Sequence, residues 1–544
     1  MSISVFAYLC STVSLKLKEA MIEKKKSLLI AFAGLVNVAD AYTQNVQPYT
    51  SVRVESSSLY QQGNVYQKDF LLCMDMLEQT HPAFAAGQNA PFSVDDEIEA
   101  GYEALAECQS KEALERCVQR VFSNLSDAHT TVSVGLDRNL IYPLNVFVDS
   151  GKPYIRAVDK VHAAALGKEI IRMNGRSMNR IWEEFGRVMS CDNENYFWEK
   201  VPNLMQFYSF WVQTSCSAPD SLLRLSLADG TEIALKPMKQ SELQVQWLNV
   251  APSGHWIRGN RRQPFLYKIL PDRPVCYLQF NACTDRGSLY AQYAQTKGEV
   301  PDEVKKQLEQ VPRFDEFLRQ MFRDMATHQV KTLVIDVRDN GGGDSRLCQL
   351  LLSWLKPEAE RKQGTVWMRC SELFKRQYPA LSESFARYFA EHRQVYSSDT
   401  LYNAADITLP ETGSESSPIV AALDTFFASP SPAVANFDGE VIFIQNRETY
   451  SSAGLLVVEA VDNHIGKVIG DCSAYKPSSY GDILFWRLPH TGVQGTVSHK
   501  LFLRPDRSQG TPASLCPDVL IPTRWEDVSA GRDACWEWVL QHVK

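Results

Sequence analysis

Two short segments hold the residue types that acyl-transfer chemistry needs. The strand-like run EVIFIQN leads into Arg447-Glu448-Thr449-Tyr450-Ser451-Ser452-Ala453-Gly454, and the apolar, helix-patterned LLVVEAVDNH follows. A hydroxyl at a strand-to-helix turn stands at the sheet edge, where the first helical N–H groups can meet developing negative charge. Taken alone, Ser451 or Ser452 would equally serve as a helix N-cap. The second segment, TLVIDVRDNGGGDS, tips the reading toward a nucleophile. There Gly341-Gly342-Gly343 follows a buried-strand pattern and precedes the helical SRLCQLLLSWL. Such glycines let backbone N–H groups approach a ligand and point at an oxyanion or a phosphate. A nucleotide loop is the rival, but neither the P-loop spacing nor the dinucleotide glycine fingerprint is present.

The elements that must hold these segments follow from periodicity. From about Gln263 strands and helices alternate: VCYLQFN, the amphipathic RFDEFLRQMFRDMATH, TLVIDVR, EVIFIQN and KVIG. Nearly all-apolar strands are buried on both faces, as in parallel sheets flanked by helices. Upstream, Tyr66 to about Phe122 carries apolar residues at three- and four-residue spacing, which predicts a helical region. Between them, LNVFVDSGKPYIRAV predicts a hairpin turning at Ser150-Gly151, and SLLRLSLADGTEIALKP another at Asp229-Gly230. The stretch from Glu358 to Pro432 reads as irregular and polar.

VIDVRDNGGGDS resembles the strand-and-glycine motif of the S41 serine peptidases, the tail-specific or C-terminal processing family, and ETYSSAG resembles that family's nucleophile turn. VIGDCSAYK resembles the later segment that ends in a general-base lysine; Lys476 stands 25 residues after Ser451. LSDAHTTV resembles the family's Asp-x-His-Thr motif and contributes Asp127, His129 and Thr130, while CPDVLIPTRWEDVSAGRDACWEWVL resembles the close of the core. The resemblance implies an α/β fold: a ClpP/crotonase-like peptidase core (263–544), preceded by an N-terminal helical domain (42–135) and a PDZ-like β-rich domain (136–262). It implies Ser451 as nucleophile, Gly341, Gly342, Gly343 and Ser452 around the oxyanion, and Lys476 or His129 as base. It also implies a protein or peptide substrate, cleaved in unstructured or C-terminal segments through an acyl-enzyme, with no metal or organic cofactor. Two positions depart from the pattern, since Tyr480 stands where a Gln is usual and Gly454 where a Glu is usual. They motivate an alternative, a catalytically inactive peptide- or ligand-binding protein on the same fold. A crotonase-like acyl-CoA enzyme is a third reading, opposed by the export signal described below.

The two bases make different demands. A lysine accepts a proton only when neutral, so its pKa must fall from about 10.4. A histidine titrates near neutrality unaided, and Asp127 is close enough in sequence to orient His129. Asp336 and Arg338, at the end of a buried strand, are expected to pair and shape the loop, and Asp518 to orient another loop.

A formal net charge of −8 excludes nucleic acid as the main partner, and the one basic run, Lys24-Lys25-Lys26, belongs to an export signal. It precedes an apolar stretch, Leu28 to Val38, too short to span a bilayer, and Ala39-Asp40-Ala41 fits the small-x-small cleavage rule. The chain is thus expected in the periplasm or outside the cell, without stable membrane insertion, with residues 1–20 as an upstream extension. Twelve of its 13 cysteines follow Tyr42, an even number that permits disulfides, with Cys108 and Cys117 near enough in sequence to close a local loop.

Overall fold

The computed structural model describes residues 46–132, 137–248, 258–259, 261, 263–297, 300–406 and 436–543. The expected export signal lies outside them. The described residues divide into two units: one holds Thr284–Asp324, the other Gln47–Cys283, 325–406 and 436–543. In the first, the helices Arg286–Lys297 and Asp302–Leu308 bury Leu289, Leu308 and Val311. The Arg286 guanidinium ties them by donating to the carbonyls of Val311 and Glu309, both at 2.9 Å.

The second unit carries the glycine loop, the Ser451 turn, the Asp127-x-His129 motif and the segment ending in Lys476. Its largest sheet has six strands in the order Phe265–Ile269, β1 (Val275–Phe280), β2 (Thr332–Asp336), β3 (Glu440–Gln445), β4 (Lys467–Gly470), Val519–Leu520. The first pairing is antiparallel and the rest are parallel. Every residue of β1 and β2 is buried, as the apolar runs require of strands covered on both faces. One face packs Val275, Tyr277, Val334, Ile442 and Ile469 against Trp536 and Val539 of the helix Ala534–His542. Helix α1 (Ser345–Leu355) follows β2, and α2 (Ser452–Asp462) follows β3. Because β2 and β3 are parallel neighbours, with Asp336 opposite Ile444, the loops leaving their C-terminal ends emerge side by side. Open parallel sheets bind ligands at that edge.

An antiparallel sheet is built on Gln494–Leu503, which pairs with Thr131–Val132, Thr365–Arg369 and Ser479–Arg487; Leu401–Asn403 extends it. Its inner side shares one core with the helices Val65–Thr80, Val94–Glu107 and Lys111–Ser123, as where Trp486 meets Phe122 edge-on. Residues 142–235 enclose a separate core around Trp182, Phe185, Trp211 and Leu223, with the two expected hairpins, Leu144–Asp149/Lys152–Asp159 and Leu223–Leu227/Glu232–Leu235. Ser150 and Gly151 both take positive φ, as a two-residue turn of the I′ type demands.

Two expectations are corrected. The core is not ClpP/crotonase-like: both large sheets are open, and the six-stranded one ends in the unclosed edge strands Phe265–Ile269 and Val519–Leu520. The alternation of apolar strands and helices specifies a parallel sheet but not how its edges are finished, which explains the error. Of the stretch 358–432, residues 407–432 lie outside the described residues, and the part before them is more regular than expected. Helices Glu372–Gln377 and Pro379–Glu391 form there because Phe374, Phe385 and Phe389 reach the core beneath the antiparallel sheet. Among the described residues no helix is long and apolar enough to cross a membrane.

Candidate active site

The loop after β2 is set by ion pairs and one amide. Arg338 donates to Asp336 at 2.7 Å and, bidentately, to Asp533 at 2.8 and 3.0 Å, and Asp336 also accepts from the Tyr277 hydroxyl at 2.6 Å. Both side chains are buried, so the pair shapes the loop from beneath. Asn340 Oδ1 then takes the Gly342 N–H at 2.9 Å, while the Gly342 carbonyl accepts from the Cys283 N–H at 3.0 Å. Gly342 lies directly against the nucleophile turn. A Cβ there would sit 2.7 Å from Ser451 Cβ, and its φ of +103° is closed to other residues. Gly343, at φ +134°, is pressed on Cys283, whose carbonyl would be 2.3 Å from an added Cβ. Gly342 is therefore required by the close approach of the Ser451 turn and Gly343 by that of Cys283, whereas a Cβ on Gly341 would meet nothing within 4 Å.

Ser451 occupies the position before α2 with φ 51° and ψ −126°, and its side chain makes no cap hydrogen bond. A non-glycine residue held at positive φ costs about 1–3 kcal/mol, and such strain clusters at functional sites. The helix-cap reading thus fails for Ser451. Ser452 is also otherwise engaged, its hydroxyl donating to the Gly343 carbonyl at 2.7 Å and closing the turn onto the glycine loop. Of the four expected oxyanion donors, Gly342 has its N–H committed to Asn340; among the described residues, those of Gly341, Gly343 and Ser452 have no protein acceptor.

The two candidate bases are placed differently. His129 stacks on Tyr450, the residue before Ser451, with ring centroids 5.1 Å apart, and its Nδ1 lies 3.1 Å from the Tyr450 hydroxyl. The same nitrogen is 3.5 Å from Asp127 Oδ1. Asp127 is fully buried and held by donors from the His129 N–H (3.0 Å), the Thr130 hydroxyl (2.6 Å) and His81 Nε2 (3.0 Å). Burial alone would raise the Asp127 carboxyl, but the hydrogen bonds from His129 and His81 and their charge outweigh it and hold it well below the usual range. Burial pulls His129 down; the bond to Asp127 and the charges of Asp127, Asp192 and Asp482 outweigh it and leave the imidazole above its ordinary value. Lys476 instead donates to the Ser126 carbonyl at 2.7 Å. Burial lowers its pKa, against Asp192 and Asp127, which raise it.

Both departures from the family pattern acquire reasons. A Cβ on Gly454 would lie 2.4 Å from the Tyr475 ring, which occupies the space of the usual Glu. Tyr480 packs on His81 at 4.6 Å between centroids, bracing the imidazole that supports Asp127.

Three contributors escaped the sequence reading. Tyr450 was adjacent to Ser451 but marked by nothing except that adjacency. His81 lies in the helix-ending THPAF. Asp192 belongs to an aperiodic loop, yet its buried carboxylate accepts the Ala128 N–H at 2.8 Å and keeps an oxygen without a partner. Burial and the neighbouring Asp127 push the Asp192 carboxyl up to about 6, against the opposing charge of His129. Asn193, next in the chain, donates to the Ala474 carbonyl at 3.0 Å and the Ala513 carbonyl at 2.7 Å, fixing the loop to the Lys476 segment. One ligand atom each from Asp127, His129 and Asp192 lie within 4.8 Å of one another. The trio could hold a metal ion, but three donors already occupy Asp127 and suit it better to orienting an imidazole.

Residues 307–480 match the model of peptidase family S41. No curated protein sequence matches the chain. Among solved structures it is similar to mature CPAF complexed with lactacystin, at 13% identity and a TM-score of 0.57 over 90% of this chain and 98% of that one. Mature CPAF alone gives 13% identity and a TM-score of 0.58, covering 90% and 97%. At that identity the likeness establishes the fold, a CPAF-type peptidase architecture with open sheets, and it overturns the ClpP/crotonase-like expectation. The family match identifies a serine-type peptidase. Residues 307–480 therefore form a serine-type peptidase domain of family S41.

Proposed function

We propose that the chain is a serine endopeptidase that cleaves unstructured or C-terminal segments of proteins through an acyl-enzyme on Ser451. The observation that carries this is the strained, uncapped Ser451 against Gly342, with unengaged N–H groups on either side of it. In this reading His129 accepts the Ser451 proton on Nε2, its Nδ1 being engaged by Tyr450 and Asp127. It later returns that proton to the leaving amine. Asp127 holds the ring and stabilises the imidazolium, while the N–H groups of Gly341, Gly343 and Ser452 receive the oxyanion. Lys476, committed to Ser126, has a supporting place beside the His129 loop.

A cavity of about 660 Å³ is lined in part by Arg156, Glu199, Arg258, Arg261, Arg447 and Glu448, the last two four and three residues before Ser451. Its mixed charges suit a polar, extended peptide better than an apolar small molecule. Export to an oxidising compartment belongs to the same proposal, supported by the N-terminal leader and by the Cys472–Cys516 bridge. The test is hydrolysis of an unfolded protein such as reduced, alkylated casein. Wild type should release fragments and Ser451→Ala none; fragments at an equal rate from both would reject the proposal.

A further inference from the structure

Beneath the two loops lies a pair of thiols that the proposed reaction does not use. Cys283 and Cys348 are both buried, and their Sγ atoms are 3.5 Å apart. Each is bonded to one half of the site. The Cys283 N–H donates to the Gly342 carbonyl at 3.0 Å, its carbonyl accepts from the Asp344 N–H at 2.7 Å, and its sulfur lies 3.8 Å from Asn340 Oδ1, the atom that holds Gly342. The Cys348 thiol, on α1, donates to the Ser452 carbonyl at 3.3 Å. The dithiol therefore touches the glycine loop through one member and the nucleophile turn through the other.

We propose that Cys283 and Cys348 form a disulfide whose closure fixes the glycine loop against the nucleophile turn. The oxidant is a small disulfide of the glutathione class, acting during folding before the pair is buried. One thiolate attacks the oxidant's sulfur and expels the first small thiol. The second thiolate attacks the resulting mixed disulfide and expels another. One protein S–S bond forms, one oxidant S–S bond breaks, and the two protons and two electrons leave with the two released thiols. Closure brings the sulfurs from 3.5 Å to about 2.05 Å. It also removes the Cys348 S–H that supports Ser452. Shifts near 1 Å at an acylation site change rates by up to about 100-fold, so the bond also sets the reactivity of Ser451. That last effect rests on the proposed role of Ser451; the disulfide itself does not.

The experiment compares the full chain with Cys348→Ser, both folded in a glutathione–glutathione disulfide buffer so that Cys472–Cys516 is intact in each. Peptide mapping after alkylation should recover a linked peptide containing Cys283 and Cys348 from wild type only. Amide hydrogen exchange of residues 341–344 should be at least about tenfold slower in wild type than in the variant. Cys283→Ala serves as the comparison if Cys348→Ser does not fold. Recovery of both cysteines alkylated as free thiols overturns the proposal, as does a linked peptide with unchanged exchange. If Ser451 fails to react with a fluorophosphonate in either protein, the reading of Ser451 falls while mapping and exchange still decide the disulfide.

Discussion

Replacing Asp192 by Asn should move the acid limb of the pH profile to lower pH. His129 can accept a proton only when neutral, so kcat/KM rises with pH through its pKa, which three carboxylates hold above the ordinary value against the effect of burial. Asn keeps an acceptor for the Ala128 N–H, which Asp192 takes at 2.8 Å, and removes only the charge. The carboxylate and imidazole ligand atoms lie within 4.8 Å. At that separation two unit charges interact by about 3.5 kcal/mol at an effective dielectric of about 20. That corresponds to roughly 2.5 pKa units for a fully ionised Asp192. Because the Asp192 carboxyl itself titrates at about 6, its charge is incomplete near the limb. The expected displacement is about one to two units downward. The assay is kcat/KM for a fluorogenic peptide from pH 4 to 9, which reports the free enzyme's groups. A limb that stays in place, or moves up, would refute the electrostatic account of His129.

The bases can be separated by substitution. His129→Ala should lower kcat by about 10²–10⁴, the usual contribution of a general base, whereas Lys476→Ala should stay within about tenfold; the reverse order in the same assay would exchange their roles. Ser451→Gly relieves the strain of φ 51° and should raise unfolding free energy by about 1 kcal/mol while abolishing turnover, as read by urea denaturation beside the peptide assay. Gly342→Ala places a Cβ 2.7 Å from that of Ser451 and should reduce kcat/KM by about 100-fold or more even where the protein remains folded by circular dichroism.

The sequence already contained the parallel strands, the two hairpins and the Asp336–Arg338 pair, because each is written locally, in apolar runs, turn glycines or adjacent charges. The meeting of the glycine loop with the nucleophile turn was legible only as a consequence of strand order, since β2 and β3 are separated by more than a hundred residues. What stayed hidden depends on long-range contact. Asp192 and Tyr480 reach the His129 environment from distant segments without a periodic signal, and the open edges of the sheets are invisible in strand composition. Cys108 and Cys117, close in sequence, remain free thiols, while the bridge joins Cys472 to Cys516 across 44 residues. Sequence proximity carries little information about cysteine pairing.

The central claim is that Ser451 is an activated nucleophile, and labelling with a fluorophosphonate followed by peptide mapping tests it most directly. Wild type should carry one adduct, on the peptide containing Ser451, and Ser451→Ala should carry none. An adduct on another serine, or undiminished labelling of Ser451→Ala, would contradict the account.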